Sequence, residues 1–192
     1  LGLVLDALEK SEHSDNTIIA LFSDHGFHLG EKERWAKRSL WEDGTRVPVV
    51  VASPGHKPGQ KTNRPAELLD VFPTLLELAG LPADSTQEGQ SLVPLMKNPQ
   101  REWNHPAITS FGLGNYSVRS TRYRFIQYFD GSRELYDLSK DPHEWKKLID
   151  NPKLEKVIQE HASFIPQKQH PILPGSSTGH KAYAAAKKKL NK

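Results

Sequence analysis

The sequence predicts an α/β domain followed by a small antiparallel sheet with one helix laid on it. Three observations predict it. Near the start, a helical stripe, a short polar connection and a continuous apolar run succeed one another. A second apolar run, 47–52, closes on Ser53-Pro54-Gly55. After about Pro106 the character changes to short segments of strand composition, with a good hairpin turn between the last two. Helix, loop and buried strand are the grammar of an α/β domain, and short alternating runs that of an antiparallel sheet.

Leu1, Val4, Leu5 and Leu8 share one helical face, and no capping residue precedes them. The expectation is therefore that the chain starts inside a helix and is the C-terminal part of a longer protein. Residues 11–16 are a polar connection. Residues 17–22 are apolar and rich in β-branched side chains, which suits a strand buried on both faces. In the run at 47–52, Pro48 stands near the start, where a missing donor is tolerable. Asp70 can cap a helix that carries Pro73 in its first turn and Leu75, Leu76, Leu78 and Ala79 beyond, and Gly80 and Pro82 stop it. Residues 107–111, 116–120, 123–129 and 133–138 read as strands, the last two joined at Asp130-Gly131. Leu154, Val157, Ile158, His161 and Ile165 form a helical stripe. The chain thus divides into a core at 1–105, a small antiparallel sheet with a packed helix at 106–171, and a linker with a basic tail at 172–192.

Composition excludes several classes. Hydrophobic residues make up 36% of the 192, and four Trp, five Tyr and seven Phe require a core. No apolar run approaches the roughly 20 residues of a membrane span. The chain has no cysteine, which excludes disulfides, zinc ribbons and cysteine nucleophiles. Five tail lysines, Lys181, Lys187, Lys188, Lys189 and Lys192, account for the basic character: without them the formal charge of +3 becomes −2. No basic face for nucleic acid is expected in the body.

Chemistry concentrates in Ser23-Asp24-His25-Gly26-Phe27-His28-Leu29-Gly30-Glu31-Lys32, directly after the first apolar run. Ligands of open α/β sheets bind outside the carboxyl ends of strands. The Asp24 carboxylate and the His25 imidazole are competent metal ligands, and Gly26 lets the backbone turn away from both. On the residues alone, a strand-end aspartate that merely caps a turn weighs equally. Two ligands are also too few, so the remainder would come from elsewhere. Lys37 alone reads as an exposed loop lysine. His28 either rims a pocket and touches substrate or packs as a satisfied histidine. Glu42 and Arg46 are expected to pair, Trp35 and Trp41 to pack, and Asp137 and Asp141 to shape turns.

Further residues make the pattern specific. The Ser23–Lys32 stretch is followed by Trp35-Ala36-Lys37, then Leu40-Trp41-Glu42-Asp43-Gly44-Thr45-Arg46-Val47-Pro48, Asn63-Arg64-Pro65-Ala66-Glu67-Leu68-Leu69-Asp70, Phe72-Pro73-Thr74-Leu75-Leu76-Glu77-Leu78-Ala79-Gly80, and Glu134-Leu135-Tyr136-Asp137-Leu138. This series resembles the C-terminal half of a sulfatase core, within the alkaline-phosphatase superfamily, and is most similar to iduronate-2-sulfatase-like enzymes. The likeness runs to about Pro171. It implies a partial alkaline-phosphatase-like sandwich followed by the small sheet. It implies that Asp24 and His25 bind a divalent cation, calcium being usual in the family, and that Lys37 contacts the sulfate group. Many relatives have Asn at the His25 position, which leaves the ion's identity open.

The resemblance also implies a sulfated carbohydrate or other sulfate ester as substrate, an exported or lysosome-like setting, and a formylglycine nucleophile made from a Cys/Ser-x-Pro-x-Arg motif. These 192 residues contain no such motif and no adjacent aspartates. The nucleophile and half the metal ligands are therefore expected in an N-terminal remainder of the sulfatase core, and this chain alone is expected to be inactive. The strand at 17–22, parted from neighbours in that remainder, is expected to expose apolar surface and to favour association. A phosphodiesterase or phosphonate monoester hydrolase of the same superfamily is the alternative enzyme, and a non-catalytic binding module the alternative class.

Overall fold

The structure, a computed structural model, describes residues 1–168; the expected linker and basic tail at 172–192 lie outside them. The chain divides into two compact units. The first comprises Leu1–Gly26 and Arg46–His105; the second comprises Phe27–Thr45 and the described chain from Pro106 onward. Among the described residues no helix is long and apolar enough to cross a membrane.

In the first unit, helix α1 (Gly2–Glu9) buries none of its residues. Strand β1 (Ile19–Phe22) pairs antiparallel with β2 (Val49–Ala52), Ile19 opposite Ala52 and Phe22 opposite Val49. Burial on both faces is not seen: Phe22 is 48% and Val50 54% exposed. An apolar run states what a strand can bury, whereas coverage needs a neighbour, and β2 is the one sheet partner of β1 among the described residues. Apolar surface is exposed there, as expected of a strand short of neighbours.

Helix α3 (Val71–Leu78) follows a 3-10 turn at Leu68–Asp70. Its glycine stop is observed: Gly80 takes φ 68° and Leu81 N–H donates to Leu76 C=O at 2.9 Å, a closing bond that satisfies a terminal carbonyl. The capping expected of Asp70 is corrected. Its side chain does not cap α3; it accepts the Glu67 N–H at 2.8 Å and the Gln90 N–H at 2.7 Å from a buried position. The incoming loop supplies a donor that no local rule could see. Gly89 permits that approach, because a Cβ there would lie 2.1 Å from the Leu69 carbonyl oxygen. Leu92 and Leu95, at and inside α4 (Val93–Lys97), pack with Trp103.

The second unit is built on a four-stranded antiparallel meander, β3 (Ala107–Ser110), β4 (Tyr116–Arg119), β5 (Tyr123–Gln127) and β6 (Arg133–Asp137), in sequence order. The four strands match the sequence expectation to within two residues at each end. Gly131, at φ 86°, and Asp130, accepting the Ser132 N–H, close the expected hairpin. Alternation fills both faces. Tyr116, Val118, Phe125 and Leu135 meet Ile158 and Ile165, so the expected stripe on α5 (Glu155–Ser163) covers one side. On the other side Ile126 and Tyr136 meet Leu40 and Trp41 from the 27–45 segment.

That second layer is seated by charge. Arg124 on β5 is buried, donates to Leu40 C=O at 3.1 Å and Ser117 Oγ at 2.6 Å, and pairs with Glu42 of α2 (Glu42–Thr45). Its Nε lies 2.7 Å from Glu144 Oε1 as an ion contact without an aligned hydrogen bond, while Glu144 Oε2 accepts the Glu42 N–H at 2.9 Å. Burial pushes the Glu144 carboxyl above its ordinary pKa against the opposing pull of Arg124. Arg119 reaches Glu42 at 3.5 Å as well. Lys32 donates to Glu144 C=O and lies 5.0–5.4 Å from the ring centres of Trp41, Tyr136 and Trp145.

Candidate functional site

The expected ligand pair leaves the first unit at the end of β1. Ser23 Oγ donates to His25 C=O at 3.0 Å, which tightens the turn after the strand. His25 Nδ1 lies 2.7 Å from Gly26 C=O, so an Nδ1–H tautomer donates there and leaves Nε2 as the acceptor atom. Nε2 is 3.6 Å from Asp24 Oδ2. Gly26 contributes that carbonyl rather than an unusual backbone angle. Asp24 is 83% exposed at its side chain and His25 35%. An imidazole nitrogen and a carboxylate oxygen 3.6 Å apart can share one ion, because ligands about 2.0–2.4 Å from a common cation stand at about that separation. The pair fits a divalent cation, and its single nitrogen admits metals softer than calcium.

The other expected residues lie in the second unit. Lys37 is exposed, and its carbonyl accepts the Ser39 N–H at 3.0 Å. His28 is fully buried. Its backbone N–H donates to Ala36 C=O at 3.0 Å, Nε2 lies 2.6 Å from Ser39 Oγ, and its ring meets Trp41 edge-on at 6.2 Å. His28 thus holds Ser39, and Ser39 holds the backbone of Lys37. Trp41 packs as expected and donates to Glu134 Oε2 at 2.9 Å. Trp35 is corrected: it is 74% exposed, because the Gly30 N–H to Arg34 C=O bond closes a tight turn that leaves it outside. Asp137 shapes its turn as expected, accepting the Ser139 N–H, and also holds Arg122 through three hydrogen bonds.

Among the described residues, two clusters of metal-ligating groups form that the sequence does not announce: His28 with Glu31 and Asp43, and Glu67 with Asp70 and His105. His28 and Glu31 stand three residues apart within the motif, a visible spacing. Asp43 joins them only through the fold. The Leu29 N–H it accepts holds the Glu31 carboxyl below its ordinary pKa, with a smaller electrostatic contribution from His28. In the second cluster His105 Nε2 lies 3.5 Å from Glu67 and 3.7 Å from Asp70, whose oxygens already accept backbone donors.

The family model described as N-sulphoglucosamine sulphohydrolase, C-terminal, matches residues 30–170. A sulfatase of Formosa agariphila is 44% identical over 167 residues, covering 87% of this chain and 33% of the relative. A solved structure in complex with its substrate D-glucosamine-2-N,6-O-disulfate superposes with a TM-score of 0.75 at 28% identity, covering 84% of this chain and 36% of that one. The phosphonate monoester hydrolase of Agrobacterium radiobacter gives 0.74 at 26% identity over 84% and 36%. The chain spans about a third of the length of the curated relatives it matches. The narrower likeness to iduronate-2-sulfatase-like enzymes finds no support in these relatives.

Proposed function

Because the chain belongs to the N-sulphoglucosamine sulphohydrolase C-terminal family and carries the C-terminal part of the alkaline-phosphatase-like sulfatase fold, we propose that it supplies half of a cation site and a sulfate-binding lysine to a sulfuric ester hydrolase. The observation that carries this reading is the pairing of Asp24 Oδ2 with the acceptor nitrogen of His25 at 3.6 Å, on the two residues that the sequence resemblance to sulfatases implies as cation ligands. A divalent cation held there would supply positive charge to an ester oxygen as the S–O bond breaks. Asp24 and His25 orient that charge. Lys37 offers a point charge for an anionic sulfate oxygen, and a lysine placed so favours the more highly charged transition state. His28 serves this arrangement through Ser39, which fixes the backbone that carries Lys37.

The nucleophile is not among these residues, so the chain by itself is expected to hold a cation weakly at best and to turn over no ester. A sulfated sugar is the substrate class we propose, supported by the sulfated glucosamine bound in the similar structure. The test is direct. The purified chain, given an aryl sulfate with calcium, manganese or zinc, is expected to show no turnover, and Asp24→Ala with His25→Ala to weaken calcium binding. Metal-dependent turnover by the chain, or calcium affinity unchanged in that double variant, would overturn the reading. The likeness to the phosphonate monoester hydrolase favours a second reading, in which Lys37 meets a phosphonate. Substrate preference of the full-length enzyme separates the two: faster turnover of an aryl sulfate supports the sulfatase, and faster turnover of a phosphonate monoester the alternative.

A further inference from the structure

His28 has no exposed surface, yet its Nδ1 has no hydrogen-bond partner. That atom faces Asp43 Oδ2 at 4.0 Å, and a Glu31 carboxylate oxygen completes a group whose ligand atoms all lie within 4.8 Å of one another. The ring is clamped. Its Nε2 is held at Ser39 Oγ, and Gly44 closes the far side, where a Cβ would lie 2.2 Å from Ser39 Oγ and 3.3 Å from His28 Nε2. Neither tautomer satisfies this arrangement unaided. With the proton on Nδ1, a buried donor points toward carboxylates beyond hydrogen-bond reach. With the proton on Nε2, the short contact to Ser39 Oγ is a good bond, and the Nδ1 lone pair faces two acidic side chains.

A cation resolves the second case. Histidines that ligate metals characteristically donate their other ring N–H to a fixed partner, and Ser39 stands in that place. One imidazole and two carboxylates are a donor set for zinc and similar first-row divalent ions. Ligand atoms about 2.0–2.2 Å from a common zinc stand about 3.3–3.6 Å apart, so closure by several tenths of an ångström at Asp43, and by up to about an ångström across the group, is required. Asp43 and Glu31 are only partly buried and can supply it. We propose that His28 Nδ1, Glu31 and Asp43 form a zinc-class cation site that uses neither Asp24 nor His25. Through the Ser39 N–H to Lys37 C=O bond, an ion there also stiffens the backbone of Lys37.

The experiment is a zinc titration of the full chain carrying Asp24→Ala and His25→Ala, followed by imidazole proton–nitrogen NMR with the His28 signals assigned. Saturation with about one equivalent at His28 is expected, with Nδ1 shifted by the metal and the proton fixed on Nε2. Asp43→Asn, which keeps a similar shape in a partly exposed position, is expected to raise the dissociation constant by about tenfold or more while the folded NMR spectrum persists. A smaller rise, or His28 signals that zinc leaves unmoved up to millimolar concentration, overturns the site.

Discussion

The β1–β2 ribbon and the β3–β6 sheet invert the usual expectation of which strands are covered. The ribbon is made of Ile, Ala, Leu, Phe and Val, and still exposes Leu21, Phe22, Val49 and Val50. The sheet includes Ser117, Arg124 and Glu134, and buries all three. Hydropathy therefore does not decide burial here. Supply of a second layer does: the sheet has α5 on one face and residues 27–45 on the other, and the ribbon has one partner strand among the described residues. Polar side chains tolerate that burial because Arg124 and Glu134 bond to the layer above and Ser117 bonds to Arg124.

The sharpest way to break this contrast is Arg124→Ala, which leaves Glu144 buried without the Arg124 cation and takes one of two arginines from Glu42. A loss of about 3–5 kcal/mol is expected in urea unfolding. A loss below about 1 kcal/mol would mean that charge does not seat the second layer. Next comes acid. Hydrogen bonds from Arg122, opposed by burial, hold the Asp137 pKa at about 2, against an ordinary 3.8. A carboxyl depressed in the fold gives stability that is present above the ordinary value and lost as pH falls through the folded one. Asp137→Asn should thus lose on the order of 2 kcal/mol at neutral pH and flatten the stability curve between about pH 4 and 2.

His161 adds an earlier and smaller step. Burial lowers its pKa from 6.5, so the unfolded chain takes the proton first as pH falls. Its contribution is present above about pH 6.5 and declines below it, and His161→Gln should remove that part of the pH dependence. The smallest stability effect belongs to the ribbon. Phe22→Ser, at an exposed position, should change unfolding by only about 0.5 kcal/mol. It should lower hydrophobic-dye binding and self-association far more. If dye binding is unchanged, the exposed apolar face lies elsewhere.

The same contrast marks what the sequence could say. All four sheet strands, the Asp130-Gly131 turn and the α5 stripe were legible, since each rests on residues within a few positions of one another. The second layer was not. Glu42 meets Arg124 across 82 residues and Glu144 across 102, and no local pattern announces such partners. Asp70 has the composition of a helix cap and spends its oxygens elsewhere, one of them on an N–H 20 residues ahead. Trp35 and Trp41 read alike and have opposite fates, because a turn between Gly30 and Arg34 sets which of them faces the sheet. At the candidate site, Asp24 and His25 were legible as chain neighbours. The approach of Asp43 to His28 was not, since it depends on how α2 docks.

The separation of Glu42 from Arg124 has a consequence during synthesis. The meander connects only nearest neighbours, so β3 to β6 can pair as they leave the ribosome. Glu42 has emerged 82 residues before Arg124, and at about 5–20 residues per second it waits roughly 4–16 s for its partner. Through that interval the nascent 27–45 stretch carries Leu40 and Trp41 without Ile126 and Tyr136 to cover them.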